Sequence, residues 1–199
     1  MFALAERNGI AIPFDSVEAV RAAYSFSNLQ DFLDICYQGA NVLQKAEDFR
    51  DLAAAYFDRI AADNVVHAEI FFDPQIHTDR GIAFDTVMEG LLAGMAEAEA
   101  KHEITARLIL CFLRHLDEAA AFATLEAARP WLHRIEAVGL DSSELGHPPE
   151  KFARVFAAGA LGLKRVAAIA RPDAIGCAGA ACPLSARSWI TGAPDERRC

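Results

Sequence analysis

Hydrophobic and polar residues along the chain form two kinds of segment. Four short runs, nearly continuous in apolar residues, predict strands that begin near Val65, Ile104, Ile135 and Lys164. Between consecutive runs, apolar residues recur at helical spacing, as they do in residues 84–95. Because a helix separates each pair of strands, the pattern predicts consecutive βαβ units and a parallel sheet covered by helices. An open doubly wound sheet and part of a (β/α)8 barrel both fit this pattern.

The segment before the first strand, residues 25–64, is predicted to be helical. Phe32 and Leu33 fall on its apolar face. Ser27 followed by Gln30 predicts a capping box where the helix begins.

Polar residues directly follow three of the predicted strands. Asp73 follows the first strand, Arg114 and His115 follow the second, and residues 141–144 follow the third. In parallel α/β folds the carboxyl ends of the strands form the edge where ligands bind. We therefore expect these groups to contribute to one shared site.

Composition narrows the class of protein. The chain has 199 residues, of which 53% are hydrophobic and 24% are charged, as in a globular protein. Its net charge of −9 argues against binding to nucleic acid or to an anionic membrane surface. No apolar run reaches the length of a membrane span, and the first residues lack the apolar core of a signal peptide. A cytoplasmic protein is expected.

Cysteine and histidine spacing does not indicate a metal site. The five cysteines include no C-x-x-C pair, and the six histidines include no H-x-H or H-E-x-x-H. Cys36 and Cys111 lie in apolar segments and are predicted to be small buried thiols. His67, within the first strand, is predicted to be a core histidine. No G-x-G-x-x-G or P-loop motif supports nucleotide-phosphate binding.

Three stretches together resemble the adenosine/adenine deaminase family of metal-dependent amidohydrolases. They are AERNGI near the start, HAEIFFDPQIHTDRG at 67–81 and VGLDSSELGHPPEKFARVF at 138–156. The adenine deaminase branch fits better, because adenosine deaminases tend to have D-L-x-G-x-E where this chain has D-S-S-E at 141–144. The resemblance implies an α/β fold that is part of a (β/α)8 TIM-type barrel, with the four predicted strands as barrel strands two to five. It also makes residues 27–60 a helical lid segment.

The resemblance also implies a reaction, the hydrolytic deamination of adenine to hypoxanthine and ammonia. In the family, histidines and an aspartate hold a zinc ion that activates water, and a glutamate acts as the proton donor. The H-x-H of the family would precede MFALAERNGI, and its H-A-G-E would follow GLKRVA, where residues 168–171 are Ala-Ile-Ala-Arg. We therefore expect no catalytic residue, no metal ligand and no bound zinc in this chain alone, which would not be catalytically competent by itself.

The same resemblance suggests which residues face a purine base. The predicted pocket residues are Ser143, Glu144, Asp141, Phe32, Leu33, Asp73 and His77. Each also has a simpler structural interpretation. Loop aspartates and serines commonly satisfy backbone groups, an aromatic residue on a helix face is commonly part of the core, and a loop histidine commonly makes a local hydrogen bond.

Residues 168–199 differ from the rest in composition. They contain eight Ala, four Arg and three Cys, without Lys, Phe or His. We expect two regions, a partial deaminase barrel domain at 1–167 and a poorly ordered non-family tail at 168–199. A frameshift or gene truncation near codon 168 would explain the tail.

Other interpretations remain open at the level of sequence. The half-barrel could be a non-catalytic assembly or binding partner that associates with a second copy or with another chain, since four strands cannot close an eight-stranded barrel. Unpaired sheet edges would also favour self-association. An adenosine deaminase relative and an unrelated small α/β binding protein are the remaining alternatives.

Overall fold

The computed structural model describes residues 1–160 and 165–166. Four helices precede the first strand: α1 (Phe2–Asn8), α2 (Val17–Ala23), α3 (Leu29–Ala40) and α4 (Ala46–Ala61). The strands are β1 (His67–Phe72), β2 (Thr105–Leu113), β3 (Ile135–Asp141) and β4 (Arg165–Val166). The helices between them are α5 (Gln75–Thr78), α6 (Phe84–His102), α7 (Glu118–Ala127) and α8 (Ala153–Ala160), with 3-10 turns at Arg129–Arg134 and Pro149–Phe152. The tail expected at 168–199 lies outside the described residues.

The four strands form one parallel sheet in the order β1-β2-β3-β4. At the carboxyl end of the sheet, Phe72 pairs with Leu110 and Leu113 pairs with Asp141. One register shift follows Leu108 in β2. The predicted strand positions and the parallel pairing are confirmed.

The two faces of the sheet have different surroundings. Leu110 and Phe112 of β2 share one core with residues of α6, α7 and α8, so these helices pack on the same face. On the opposite face, Ile109 and Cys111 form a small cluster with Ala137, and alternate residues along a strand account for this separation. A doubly wound sheet has helices on both faces, whereas one outer helical layer is the arrangement of a barrel segment.

His67 differs from its predicted position. Its side chain is exposed, and its Nδ1 lies 2.6 Å from Thr105 Oγ1. The prediction of a core histidine was wrong because β1 alternates, so Ala68 is buried on the helical face while His67 lies on the opposite face.

The stretch AERNGI fixes α1 against α4. Asp48 is fully buried and accepts hydrogen bonds from Arg7, Asn8 and the backbone N–H groups of Gln44 and Lys45. Burial alone would raise the pKa of Asp48, but these hydrogen bonds outweigh it and lower the pKa. Asp48 therefore joins the amino-terminal helix to the start of α4 as an ionised carboxylate.

Two glycines allow α4 and α6 to approach closely. A Cβ atom at Gly90 would lie 2.3 Å from the Ala46 carbonyl oxygen, and one at Gly94 would lie 2.6 Å from Ala53 Cβ. Both glycines lie on α6, four residues apart and therefore on one face. Glycine is required at these positions for lack of space.

The start of α3 also differs from its prediction. Asn28 is the N-cap, and its side-chain oxygen accepts a hydrogen bond of 3.0 Å from the Asp31 backbone N–H. Ser27 donates to the Asp31 carboxylate instead, while Gln30 donates to Asp34. The predicted Ser27–Gln30 capping box was wrong because Asn28 caps the helix one residue later.

Among residues 1–160 and 165–166, no helix is long and apolar enough to cross a membrane.

Candidate functional site

A cluster of three acidic or thiol side chains lies at the carboxyl end of the sheet. Asp73 directly follows β1, Cys111 lies in β2 and Asp141 ends β3. One potential ligand atom from each side chain lies within 4.8 Å of the other two. Neighbouring parallel strands place all three at the edge where the sequence predicts a ligand site. The structure therefore brings Asp73 and Asp141 together, as expected.

Both carboxyl groups have raised pKa values. Burial raises the pKa of Asp73 well above its ordinary value, and the nearby Asp141 raises it further. Burial also raises the pKa of Asp141, although the Ser142 backbone N–H, which donates to its Oδ1 over 2.6 Å, opposes the shift. Two partly buried carboxyls this close disfavour the doubly ionised state. The pair can therefore offer both a hydrogen-bond donor and an acceptor.

The loop after β3 is held from two sides. Ser142 is 5% exposed and has φ +79°, a left-handed conformation that serine rarely adopts. Its hydroxyl accepts a hydrogen bond of 2.7 Å from Tyr37 and lies 2.9 Å from His115 Nδ1. The backbone turn at Ser142 is therefore stabilised by side chains from both α3 and the loop after β2.

A second contact joins α3 to the same loop. The Ser143 hydroxyl donates a hydrogen bond of 2.7 Å to Gln30 Oε1. Gln30 and Tyr37 are seven residues apart on α3, so both lie on one face of the helix. This helix therefore lies across the end of β3, as a lid over the carboxyl edge would.

Glu144 has a structural partner. Its Oε1 lies 2.8 Å from Arg114 Nη1, and the Arg114 side chain is 4% exposed. Arg114 also donates to the His147 carbonyl oxygen through Nε, over 3.0 Å. The carboxylate of Glu144 thus neutralises a buried guanidinium, and the two strand-end groups predicted from sequence meet at this ion pair.

The predicted lid residues are buried to different degrees. Leu33 is 7% exposed, whereas Phe32 is partly exposed and packs against the rings of Phe26 and Tyr24, with centroids 5.1 and 6.3 Å away. This aromatic cluster belongs to α3 and the segment before it.

His77 lies in α5, and its side chain is turned toward α4. It is 6% exposed, its ring packs edge-on against Phe49 at 4.7 Å, and its Nδ1 lies 2.8 Å from an Arg80 guanidinium nitrogen. Burial, followed by the charge of Arg80, lowers the pKa of His77 to about 4. His77 is therefore neutral at physiological pH and packs against α4.

Sequence reasoning missed Cys111 and Tyr37 as members of the site. Cys111 was predicted to be a buried thiol, and it is fully buried, but the register that sets it beside Asp141 is seen only in the paired strands. Tyr37 lies seven residues after Gln30, a spacing that indicates a shared helix face.

The donor set does not match a histidine-rich zinc site. Within the described part of the chain, Asp73, Cys111 and Asp141 are the group of three whose donor atoms could hold an ion. They supply two carboxylates and one thiol, whereas the family resemblance implies histidine ligands, so these residues do not fit the zinc centre that the family implies.

Known proteins are similar to this chain in sequence and in fold. A family model described as "Adenosine deaminase" matches residues 1–167. Adenine deaminases from Caulobacter vibrioides and Zymomonas mobilis are 71% and 62% identical over 168 residues, which are 84% of this chain and 49% and 50% of those proteins. The chain thus spans about half the length of these curated relatives.

Solved structures of adenine deaminase and of a related amidohydrolase have a similar fold. The crystal structure of an adenine deaminase from Arthrobacter aurescens is similar with a TM-score of 0.80 and 43% identity, over 84% of this chain and 51% of that one. A zinc-bound amidohydrolase from Burkholderia ambifaria is similar with a TM-score of 0.73 and 27% identity, over 84% and 46%. The fold is that of a partial TIM-type barrel, and the family resemblance is confirmed. The chain belongs to the adenosine deaminase family.

Proposed function

We propose that this chain forms the lid and one wall of the purine pocket of an adenine deaminase, whose reaction converts adenine and water to hypoxanthine and ammonia. The observation that carries this proposal is the pair of hydrogen bonds from α3 to the loop after β3, Tyr37 to Ser142 and Ser143 to Gln30. They hold a lid helix over the edge where Asp73 and Asp141 lie. The high identity to adenine deaminases supports adenine as the substrate.

The side chains of this wall, which lie at the carboxyl end of the sheet, suit a purine base. A purine edge carries ring nitrogens that accept hydrogen bonds beside N–H groups that donate them. Asp73 and Asp141, with raised pKa values, can provide a protonated and an ionised carboxyl side by side. Ser143 adds a hydroxyl that can donate or accept. We place these three side chains against the base.

The other predicted pocket residues support the wall indirectly in this proposal. Glu144 orients the loop after β3 through its ion pair with Arg114. Leu33 and Phe32 supply apolar surface on the lid, and His77 supports α5 through Phe49. Their substitution would change the shape of the pocket rather than remove a contact to the base.

We further propose that this chain by itself does not catalyse deamination. The zinc ion of the family supplies a hydroxide nucleophile when it is bound. The family's H-x-H and H-A-G-E motifs do not occur in residues 1–167. The residues present can bind and orient the base and exchange protons at the Asp73–Asp141 pair, but they do not include the family's metal ligands or its glutamate.

Equilibrium binding of adenine tests the pocket. We expect adenine to bind the purified full chain in a calorimetric titration, and we expect Ser143→Ala and Asp141→Asn to weaken binding by roughly tenfold, about 1.4 kcal/mol for each lost polar contact. The matched control is Leu145→Ser, at a 96% exposed position in the same loop. A folded chain that fails to bind adenine, or variants that bind as tightly as the control, would refute the pocket.

A second candidate function is assembly with another half-barrel. Phe71 on β1 is 49% exposed on the face opposite the helices. Val66, which directly precedes β1, is 76% exposed. β1 is also an edge strand of the described sheet, and an unpaired apolar edge favours association. A discrete dimer in sedimentation velocity, lost in Phe71→Ser, would support it, whereas a monomer or heterogeneous aggregate would reject it.

The remaining proposals concern partners and location. We propose that the ligand is a purine base rather than a nucleic acid, because a net charge of −9 repels phosphate backbones. A cytoplasmic location stays a prediction.

A further inference from the structure

We propose that Asp73, Cys111 and Asp141 bind a zinc-class divalent cation through two carboxylates and one thiolate when no base occupies the pocket. This site is separate from the histidine-ligated zinc centre of the family, and the cation and the base compete for the two aspartates. One potential ligand atom from each lies within 4.8 Å of the others. In a tetrahedral site, ligand atoms at about 2.0–2.3 Å from the ion lie somewhat closer together than this, so small side-chain rotations would close the site. Three protein ligands leave a fourth position open.

The backbone places these ligands on a rigid frame. Cys111 pairs with Gly139 across the β2–β3 ladder, two residues before Asp141. Asp73 directly follows β1, whose last residue, Phe72, pairs with Leu110. The three side chains therefore come from the same end of three adjacent, hydrogen-bonded strands, and a site on such strands is held more precisely than one on loops.

One buried oxygen atom in the cluster lacks a hydrogen-bond partner. Asp73 Oδ1 is buried and has no hydrogen-bond partner among the described residues. The Cys111 side chain is fully buried, and its thiol is free of any disulfide. A buried carboxylate oxygen without a partner costs free energy, and a bound cation would supply that partner.

The positive charge of Arg114 acts on Asp141, but the guanidinium is also engaged with Glu144 and with the His147 carbonyl oxygen. One divalent ion would offset the negative charge that two carboxylates and a thiolate carry together.

The donor atoms select the kind of ion. A thiolate with two carboxylates suits zinc, which accepts sulfur and oxygen ligands, whereas magnesium and calcium prefer oxygen ligands alone. On binding, the Cys111 S–H proton and any carboxyl proton pass to solvent while three metal–ligand bonds form. No oxidation or reduction takes place.

A cadmium titration tests the site on the full chain after removal of metals by a chelator. Cys177, Cys182 and Cys199 are replaced by serine in every sample so that tail thiols do not contribute. We expect one Cd²⁺ per chain and an ultraviolet thiolate-to-metal charge-transfer band, which Cys36→Ala retains and Cys111→Ser loses. Zinc should displace the cadmium.

Carboxylate variants keep the test informative if Cys111→Ser fails to fold. We expect Asp73→Asn and Asp141→Asn each to weaken Cd²⁺ binding by more than the roughly 10–100-fold that loss of an outer hydrogen-bond partner costs. A band that persists in Cys111→Ser, or unchanged affinity in both aspartate variants, would overturn the proposal. Because no purine is present in the titration, its outcome is independent of adenine binding.

Discussion

The Tyr37 hydroxyl donates a hydrogen bond of 2.7 Å to the Ser142 hydroxyl, and the two residues are 105 positions apart in the chain. This contact connects the lid helix α3 with the loop at the end of β3. The position of the lid therefore depends on this hydrogen bond, on the one between Ser143 and Gln30, and on the backbone turn that presents Ser142.

Loss of this hydrogen bond should loosen the lid. We expect Tyr37→Phe to lower the free energy of unfolding by about 1 kcal/mol and to weaken adenine binding, measured by urea denaturation and calorimetry. Tyr56→Phe is the matched control, because the Tyr56 ring packs on Phe57 at 5.4 Å and the substitution keeps that ring. Equal stability and affinity in the two variants would show that the Tyr37 hydrogen bond does not hold the lid in place.

The left-handed backbone at Ser142 predicts an unusual order of stability. Both Ser142→Ala and Ser142→Gly lose the contacts to Tyr37 and His115. Only glycine adopts φ +79° without strain, a difference of about 1 kcal/mol. We expect the glycine variant to be more stable than the alanine variant in chemical denaturation. The reverse order would show that this turn relaxes when the hydroxyl is lost.

Burial of neutral His77 predicts a dependence of stability on pH. Its pKa is about 4 in the folded protein and about 6.5 in the unfolded chain. The stabilisation is present above pH 6.5 and is lost as pH falls toward 4, because only the unfolded chain readily takes up the proton. The loss is about 2 kcal/mol between pH 7 and pH 5.

Denaturation curves at several pH values measure this effect, and a variant isolates it. His77→Gln lacks the titrating group, so the part of the acid destabilisation due to His77 should disappear in this variant. An identical pH dependence in the two proteins would place the His77 pKa near its ordinary value.

Alanine should have opposite effects at two helical glycines, Gly90 at the contact between α4 and α6 and Gly39 on α3. Gly90→Ala would place Cβ 2.3 Å from the Ala46 carbonyl oxygen and should cost about 1–3 kcal/mol or more. Gly39→Ala on α3 meets Met1 Sδ at 3.9 Å, an ordinary contact, and should stabilise by about 0.5–1 kcal/mol. Thermal unfolding compares the two, and a tolerated Gly90→Ala would contradict the close packing.

Much of the fold could be predicted because its strands are continuous apolar runs separated by helices with apolar periodicity. Asp73 and Asp141 could be placed at one edge because each ends such a run. Cys111 and Tyr37 could not, because their roles depend on strand register and on how the lid lies across the sheet. A cysteine in an apolar strand, taken alone, indicates packing.

His77 and Glu144 show a different limit of sequence reasoning. Both follow strands, but His77 turns toward Phe49 and Glu144 toward Arg114. Position after a strand predicts the edge of the sheet that a residue occupies, whereas the direction of its side chain depends on charges and rings brought from elsewhere in the chain.

This chain should bind adenine but should not deaminate it alone. The most direct test is ammonia release from adenine by the purified full chain supplied with zinc, at a protein concentration where calorimetry shows adenine bound. We predict bound adenine and no ammonia above the protein-free control. Sustained ammonia release that depends on zinc and falls in Asp141→Asn would contradict the account.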